Sequence, residues 1–356
     1  MKILQLNFEK GWRGGERQTL YCMQAFRRAG HQVELLARAG GQMAERAAHE
    51  GFTVHARDNV AGQFGFLATQ GRRYDIIHAQ TANTVTWAVL SKWLHGAKVA
   101  FSRRTSFVVQ PGDEWKTGFK WRHADLIATV SDMAAREPRR LGLAPVVIRS
   151  AVEPREIDQA NVDALVAEFG LRGKKVLATS AALIQDKDPL TLIRAVALLA
   201  RQRSDFVFLH FGGGGNREAQ ARALVAECGL QGVYQLAGFR RGVEDFYSIM
   251  DVFVMASEEE ALGSSVLDAF LLRVPVVSTD AGGLRESVQD GRGCLVPVGD
   301  HQAMAAGMAR LLDDAAYRAD VTERAYAYVR SEHDVTEMGR RYLAQFERLL
   351  AGRAGR

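Results

Sequence analysis

Two carboxylates, Glu260 and Asp268, stand eight residues apart in the stretch SEEEALGSSVLDAFLLRVPVVST, residues 257–279. Apolar runs at 251–256 and 275–278 flank it and read as buried strands. Between them the chain must cross a loop and enter a helix near Gly263, which puts Glu260 in the loop and Asp268 one or two turns into the helix. Leu262, Gly263, Ser264 and Ser265 then lie at the helix start, where backbone N–H groups have no partner within the helix. A helix start built of small residues suits an anionic oxygen such as a phosphate. A carboxylate on either side can accept hydrogen bonds from pairs of sugar hydroxyls. Together these groups fit a nucleotide diphospho-sugar. The spacing alone also fits a solvated acidic loop, Glu258 to Glu260, and an ordinary helix aspartate. Position favours the ligand, because open α/β sheets bind ligands beyond the carboxyl ends of their strands.

Other groups collect where strands end. Lys187 sits in the run Asp186-Lys187-Asp188-Pro189, a cation placed where a diphosphate would lie. Asp188 reads as an N-cap with Pro189 as the first helical residue, which explains that aspartate without a metal; no metal ligands are assigned. Four glycines, 212–215, including Gly212 and Gly213, separate a strand from a helix and permit close ligand approach. Gly14 and Gly15 lie in a loop expected over 11–17, before a helix at 18–28, and offer the same freedom. Neither glycine run has the spacing of a Walker loop or a dinucleotide fingerprint. His78 and Asn83 follow one strand, and the adjacent guanidinium groups of Arg103 and Arg104 follow the next, where they suit phosphate or carboxylate. A histidine just past a strand is also a common structural hydrogen-bonder, and a paired arginine a common surface feature. Ser131 reads as the N-cap of a helix over 132–139.

The elements that position these groups alternate throughout. Short apolar runs near 3–6, 31–37, 53–56, 74–78, 98–102, 126–130 and 145–149 read as strands, with helices between most of them. A break near 153–159 fits a linker, and a second series starts with strands near 175–180, 206–211 and 233–236, then a helix over 243–249. Such alternation implies parallel sheets covered on both faces. The length of 356 residues fits two domains, and 47% hydrophobic residues supply their cores. No apolar run approaches the ~20 residues needed to span a bilayer, and the apolar start MKILQLNF is too short for a signal peptide. Three scattered cysteines, Cys22, Cys228 and Cys294, point to reduced thiols and a cytoplasmic location.

Charge is uneven. Residues 1–150 hold 22 Lys+Arg against 12 Asp+Glu, a net +10, and the remainder 24 against 29, a net −5, which together give the chain's +5. The basic half implies an anionic partner such as a membrane surface or a phosphorylated glycan. No aromatic-interleaved recognition module for nucleic acid is present. The segment WKTGFKWR, 115–122, fits either a lipid headgroup layer or packing of Trp115 and Trp121 in the core.

Taken in order, Gly14-Gly15-Glu16-Arg17, the strand ending at His78, VVIRSAVE at 146–153, ALIQDKDPLTL at 182–192, Gly212–Arg217, LAGF at 236–239, Glu260–Ala269 and Asp280–Glu286 resemble glycosyltransferase family 4 over nearly the whole chain. The resemblance implies a GT-B fold: two Rossmann-like, doubly wound parallel-sheet domains facing a central cleft. Residues 1–155 would bind the acceptor, 156–334 would bind the nucleotide-sugar, and a final helix over 335–356 would cross back to the first domain. It implies a retaining transfer of a sugar from a nucleotide diphospho-sugar to a hydroxyl of a glycan or lipid-linked acceptor, with no cofactor or metal required. Glu260 would meet the donor sugar, Asp268 the ribose, Gly263 to Ser265 the sugar and phosphate, and Lys187 the diphosphate. The catalytic set is then Glu260, Lys187, Arg103 and Arg104. Gly14, Gly15, Gly212, Gly213 and Leu262 join the donor side, and His78 and Asn83 the acceptor side. The chain departs from the family pattern at Asp268, usually Glu, at Ala182, usually Arg, and at Arg103-Arg104, where a His is frequent. Family habit and the basic half together imply lipopolysaccharide or other bacterial cell-surface polysaccharide synthesis, in the cytoplasm or peripherally on the inner face of its membrane. Two rivals stay open: a GT-B nucleotide-sugar epimerase, and a non-catalytic sugar-nucleotide-binding protein.

Overall fold

In the computed structural model, which describes residues 1–354, the chain forms two compact units. One comprises Met1–Ala151 with the segment from Glu332 onward, the other Val152–Ser331. The sequence reading placed these boundaries at 155/156 and 334/335. Hydrogen bonds fix where they fall. Gln18 holds Ala151 to the first unit through both its amide atoms, at 2.6 and 2.8 Å, and His333 Nδ1 meets the Ser150 carbonyl at 2.6 Å. Past that point Arg155 and the Asp158 N–H turn to Asp245 of the second unit.

The first unit contains β1 (Lys2–Asn7), β2 (Gln32–Arg38), β3 (Thr53–Arg57), β4 (Ile76–Ala79), β5 (Lys98–Arg103), β6 (Leu126–Thr129) and β7 (Val146–Val147). They form one parallel sheet in the order β3-β2-β1-β4-β5-β6-β7. Successive residues serve opposite faces, as the period of a strand requires. Ile3 joins a core with Met23, Phe26 and Leu35. Leu4 and Leu6 join another with Phe66, Ile77 and Trp121. Helix α1 (Gly14–Arg28) packs on the first of these faces.

Helix α1 begins four residues earlier than its sequence reading at 18. Gly14 and Gly15 are its first two residues rather than a free loop. The cause is Glu16, whose Oε2 accepts the Arg13 N–H at 3.0 Å while its Oε1 accepts from Asn7 Nδ2 at 3.2 Å. A buried carboxylate at the third helical position ties down the entry and lets the helix start at the glycines. Helix α2 (Glu114–His123) resolves the two readings of 115–122 by dividing them. Trp121 is buried against Phe101, whereas Trp115 is 70% exposed.

The second unit contains β8 (Lys175–Ser180), β9 (Phe206–Phe211), β10 (Tyr234–Gly238), β11 (Val252–Met255), β12 (Val276–Thr279) and β13 (Cys294–Val296). They form a second parallel sheet in the order β10-β9-β8-β11-β12-β13. Asp188 caps the helix Pro189–Ala200 by accepting from Thr191 N–H at 3.1 Å, with proline first in the helix. Ser131 likewise caps Asp132–Arg140. The segment Val243–Ile249 is a 3₁₀ turn, not the helix expected. Bonds of i→i+3 type, Asp245 N–H to Gly242 and Met250 N–H to Tyr247, close it at each end. Helix α3 (Ser264–Leu271) follows β11, and helix α4 (Val335–Ala354) ends the described chain within the first unit, against α1. Among the described residues no helix is long and apolar enough to cross a membrane.

Candidate functional site

Sheet order reverses between β8 and β11 in the second unit. At such a switch point neighbouring strand-end loops diverge and leave a crevice. Lys187 follows β8 and Glu260 follows β11, and the two side chains form an ion pair there. Both are half-buried, at 24% and 18% side-chain exposure, so they remain reachable from solvent.

The pair is held by backbone. The Glu258 and Glu259 N–H groups both donate to the Asp186 carbonyl, at 2.8 and 3.4 Å, which fastens the acidic loop to the turn carrying Lys187. Thr279 Oγ1 donates to the Ser257 carbonyl at 2.6 Å and fixes the base of the same loop from β12. Gly283 N–H donates to the Glu260 carbonyl at 2.9 Å. A Cβ on Gly283 would sit 2.1 Å from the Ala261 carbonyl oxygen, so this glycine is what lets the two loops interlock. In the sequence Asp280–Glu286 figured only in the family resemblance; its contact with the Glu260 loop was not visible there.

Gly263 stands at the N-cap of α3 with φ 82°, and no side chain caps the helix. A Cβ there would lie 2.4 Å from Leu284 Cδ2, so both the backbone angle and the space demand glycine. Ser264 and Ser265 open the helix, half-buried, and their N–H groups belong to its unpaired first turn. Leu262 is buried beneath them. Asp268, one turn further on, is half-buried.

The glycine run after β9 serves the protein's own backbone rather than open space for a ligand. Gly212 has φ 113°, and a Cβ on it would fall 2.1 Å from the Ala181 carbonyl oxygen. Gly215 presses on Leu183 and Ile184 in the same way. Gly213 and Gly214 meet nothing within 4 Å. A hollow of about 280 Å³ borders the Lys187 turn, lined by Gln185, Thr191, Arg194, Arg217 and Glu258 among others. Neither Lys187 nor Glu260 lines it, so it is not the centre of this site.

The first unit's candidates fare differently. His78 is fully buried, with ring contacts to Tyr342 and Phe346 of α4 at 5.0 and 5.5 Å. Its Nε2 meets Ser102 Oγ at 2.8 Å, and Ser102 meets the Tyr342 hydroxyl at 2.6 Å. Burial, with the Arg104 charge nearby, pushes its pKa well below the usual histidine value and keeps it neutral. It is a structural hydrogen-bonder, and its reading as an acceptor-side group is withdrawn. Arg103 is corrected for a similar reason. Its guanidinium is buried, donates to the carbonyls of Ala134 and Phe107, and lies 5.3 Å over the Trp121 ring. It anchors the loop after β5 instead of facing a ligand. Arg104 turns inward toward Cys22, His78 and Tyr342, with Nε and Nη1 buried. Asn83 is exposed in the first turn of the helix Ala82–Leu90.

Each half of the chain matches known proteins. Residues 12–156 match the model of Glycosyltransferase Family 4, and residues 162–328 that of Glycosyl transferases group 1. The lipopolysaccharide core biosynthesis glycosyltransferase LpsE of Rhizobium meliloti (strain 1021) is 30% identical over 152 residues, 42% of this chain and 43% of that protein. The 2-deoxystreptamine glucosyltransferase of Streptomyces kanamyceticus is 32% identical over 211 residues, 57% of this chain and 54% of that protein. The match thus spans about half the length of these curated relatives. Among solved structures, Anabaena Alr3699/HepE in complex with UDP and glucose superposes with a TM-score of 0.84 at 18% identity, covering 98% of this chain and 99% of that one. A glycosyltransferase from Rickettsia africae ESF-5 gives 0.83 at 18% identity, covering 98% of each chain. Two Rossmann-like parallel sheets and these neighbours define the GT-B fold, and the two family models between them place the chain in glycosyltransferase family 4.

Proposed function

We propose that the protein transfers a sugar from a nucleotide diphospho-sugar to a hydroxyl of a glycan or lipid-linked acceptor. The observation that carries this reading is the Lys187–Glu260 pair at the switch point of the second sheet, in the same β11–α3 connection as an uncapped helix start. Lys187 and the first N–H groups of α3 are suited to the diphosphate, and Glu260 to the sugar hydroxyls. When the diphosphate departs, negative charge grows on its bridging oxygen. A cation and fixed N–H dipoles aimed there stabilise that charge without reorganising. Donor arrival would draw the Lys187 ammonium from carboxylate to phosphate and release Glu260 to accept from the sugar.

On this reading the second unit holds the donor and the first receives the acceptor, with Asn83 as the remaining acceptor-side candidate, while Arg104 stays a catalytic candidate and Gly14 and Gly15 donor-side ones. The transfer retains anomeric configuration, and Lys187 with the helix dipole does the work a metal would otherwise do. Chelator should therefore leave the rate unchanged. The relatives named for lipopolysaccharide core synthesis support a bacterial cell-surface glycan as the product class, and the neighbour bound to UDP makes UDP the first nucleotide to test.

The test is thermal unfolding with UDP, GDP, ADP, TDP and CMP. Binding to the folded state at a hundredfold excess over Kd adds about 2.7 kcal/mol of apparent stability. One nucleoside diphosphate should raise the midpoint, and Glu260→Ala should keep that shift while losing transfer. If none of them moves the midpoint of the wild-type chain, the donor assignment fails.

A further inference from the structure

Lys187 is the only Lys or Arg of the segment 181–188, because the chain has Ala182 where the family pattern has arginine. Where its ammonium lies therefore depends on how that segment is held. The support comes from the neighbouring strand. After β8 the chain runs beside the glycine loop that follows β9, and the two are laced by backbone. Ala181 N–H donates to the Phe211 carbonyl at 2.9 Å and Leu183 N–H to the Gly214 carbonyl at 3.2 Å, while the Leu183 carbonyl accepts the Arg217 N–H at 2.9 Å. Gly212 and Gly215 permit this approach, because a Cβ on them would strike the carbonyl oxygens of Ala181 and Leu183, at 2.1 and 2.6 Å.

Two side chains join the lacing. Asn216 Oδ1 accepts the Gln185 N–H at 3.1 Å, at the first residue of the 3₁₀ turn Gln185–Lys187. His210 Nε2 meets the Ala181 carbonyl at 3.1 Å, and its Nδ1 meets the Tyr234 hydroxyl at 2.7 Å. A carbonyl can only accept, so Nε2 carries the proton, Nδ1 is bare and Tyr234 donates to it. The hydroxyl thus selects the tautomer that the carbonyl requires. The ring is 1% exposed, and burial lowers its pKa to about 4, so it stays neutral and keeps this one arrangement. The position is an uncommon one for an imidazole. Residues 206, 208 and 210 of β9 share a face, and the first two are phenylalanines in a core with Leu177 and Tyr234. A third apolar residue would fill that face without a polar group to satisfy. The imidazole needs partners to be buried at all, and it finds them on the two neighbouring strands, Tyr234 on β10 and Ala181 just past β8.

We propose that His210 and Asn216 are positioning residues for Lys187. They fix the turn from Ala181 to Lys187 against the loop after β9, so that the ammonium stands where the leaving diphosphate develops its charge. Each acts through the backbone of the turn, His210 at its first residue and Asn216 at the 3₁₀ turn that carries the lysine. The inference rests on the reading of the protein as a nucleotide-sugar transferase.

A double-mutant cycle on the full chain tests it. Calorimetry with the nucleoside diphosphate that stabilises the wild-type chain gives affinity, steady-state kinetics give the transfer rate, and the cycle closes on either. His210→Phe and Asn216→Ala should each weaken binding about three- to tenfold, the worth of one hydrogen bond lost from the support. His210→Gln, which keeps an N–H donor for the Ala181 carbonyl, should recover to within about twofold of wild type by the same measure. In a Lys187→Ala background the first two substitutions should change affinity and rate by less than about twofold, because the group they place is gone. Asn216 is exposed, so Asn216→Ala should keep the native fold, and circular dichroism melts check both variants. Equal losses with and without Lys187 would overturn the proposal, since they would mean general loosening. So would wild-type affinity in both His210→Phe and Asn216→Ala, or a His210→Gln variant no better than His210→Phe. Those outcomes leave the transferase reading standing. If the wild-type chain binds no nucleoside diphosphate, that reading fails and the proposal falls with it.

Discussion

The two sheets reverse strand order at equivalent places, between β1 and β4 in the first unit and between β8 and β11 in the second. The first unit fills its switch point with its own side chains. Gln80 Nε2 donates to Gln5 Oε1 at 2.6 Å, His78 joins Ser102 and Tyr342, and Asn7 reaches Glu16 and Thr19, all buried. The second leaves a lysine and a glutamate half-exposed beside a helix whose N-cap is a glycine. Parallel sheets expose the same backbone geometry at these points, so topology alone does not make a binding site. What differs is whether the polar groups are buried against one another: in the first unit they are, although Gln5 Nε2 and Gln80 Oε1 have no hydrogen-bond partner there. Buried groups bonded to one another specify structure, and groups whose partner a ligand can replace are free to do chemistry.

Substitutions on the two sides of this comparison should therefore fail in opposite ways. Glu260→Ala and Lys187→Ala should each cut transfer by about a thousandfold or somewhat less, the range found when one preorganised charge-stabilising group is removed, with thermal unfolding little changed. Ser102→Ala should cost about 1–3 kcal/mol of stability by orphaning His78 and Tyr342 and leave turnover per folded molecule within about threefold. Steady-state kinetics beside denaturant melts would invert the comparison if Ser102→Ala abolished transfer while Glu260→Ala stayed active.

Acid should sharpen it next. Burial lowers His210 of the second unit and His333 of the first to about 4, and lowers His78 of the first well below its ordinary value. Each is neutral in the fold but free to protonate when unfolded, near pH 6.5. Above that pH neither state takes the proton and the fold keeps its full stability. As pH falls from about 6.5 toward 4, the unfolded chain gains protons that the folded chain refuses, and stability drops on the order of 3 kcal/mol per histidine. The first unit holds two of these three groups, so segment-resolved hydrogen exchange should show it loosening sooner between pH 6.5 and 4. Equal acid sensitivity in the two units, or a loss that begins above pH 7, would remove the histidines as its cause.

The interlock of the second unit is the third point of attack. A methyl group on Gly283 meets the Ala261 carbonyl oxygen at 2.1 Å, backbone against backbone, and must push the Glu260 loop aside. Gly283→Ala should cost about 1–3 kcal/mol of stability and weaken nucleoside diphosphate binding, whereas Gly15→Ala, in the first turn of α1 with open space where its Cβ would lie, should be close to neutral in stability. Calorimetric binding and melts on the two variants separate a positioning role from general loosening. Unchanged nucleotide affinity in Gly283→Ala would mean that the loop can shift without consequence.

Much of this was legible in the chain itself. Short apolar runs and the alternation of strands with helices pointed to both parallel sheets, and Asp188-Pro189 and Ser131 marked helix starts to the residue. Glu260, Lys187 and Gly263 could be singled out because a charged or small residue just past an apolar run has few structural excuses. His78 and Arg103 satisfied the same rule and were misread. Whether a strand-end polar group is covered depends on what returns over it from far along the chain, and Tyr342 lies 240 residues beyond Ser102. The glycines at 212 and 215 show the same limit, since a close approach is visible in sequence but not whether the approaching atoms belong to a ligand or to the protein. Trp115 and Trp121 divide between surface and core because they lie six positions apart on a helix, on different faces.

Asp268 is where the smallest effect carries the finest distinction. It lies four residues after Ser264, the first residue of α3, so the two share a helix face directed at the same end of the loop. Its side chain is one methylene shorter than the glutamate of the family pattern. If it accepts hydrogen bonds from a ribose, Asp268→Ala should lower nucleoside diphosphate affinity about three- to tenfold, the net worth of one or two such bonds. Asp268→Glu, which keeps the acceptor and lengthens its reach, should stay within about threefold of wild type by the same measure. Titration of both variants with the nucleotide that stabilises the wild-type chain makes the comparison. No loss in the alanine variant would return Asp268 to the status of an ordinary helix residue and leave Glu260, Lys187 and the start of α3 to hold the donor alone.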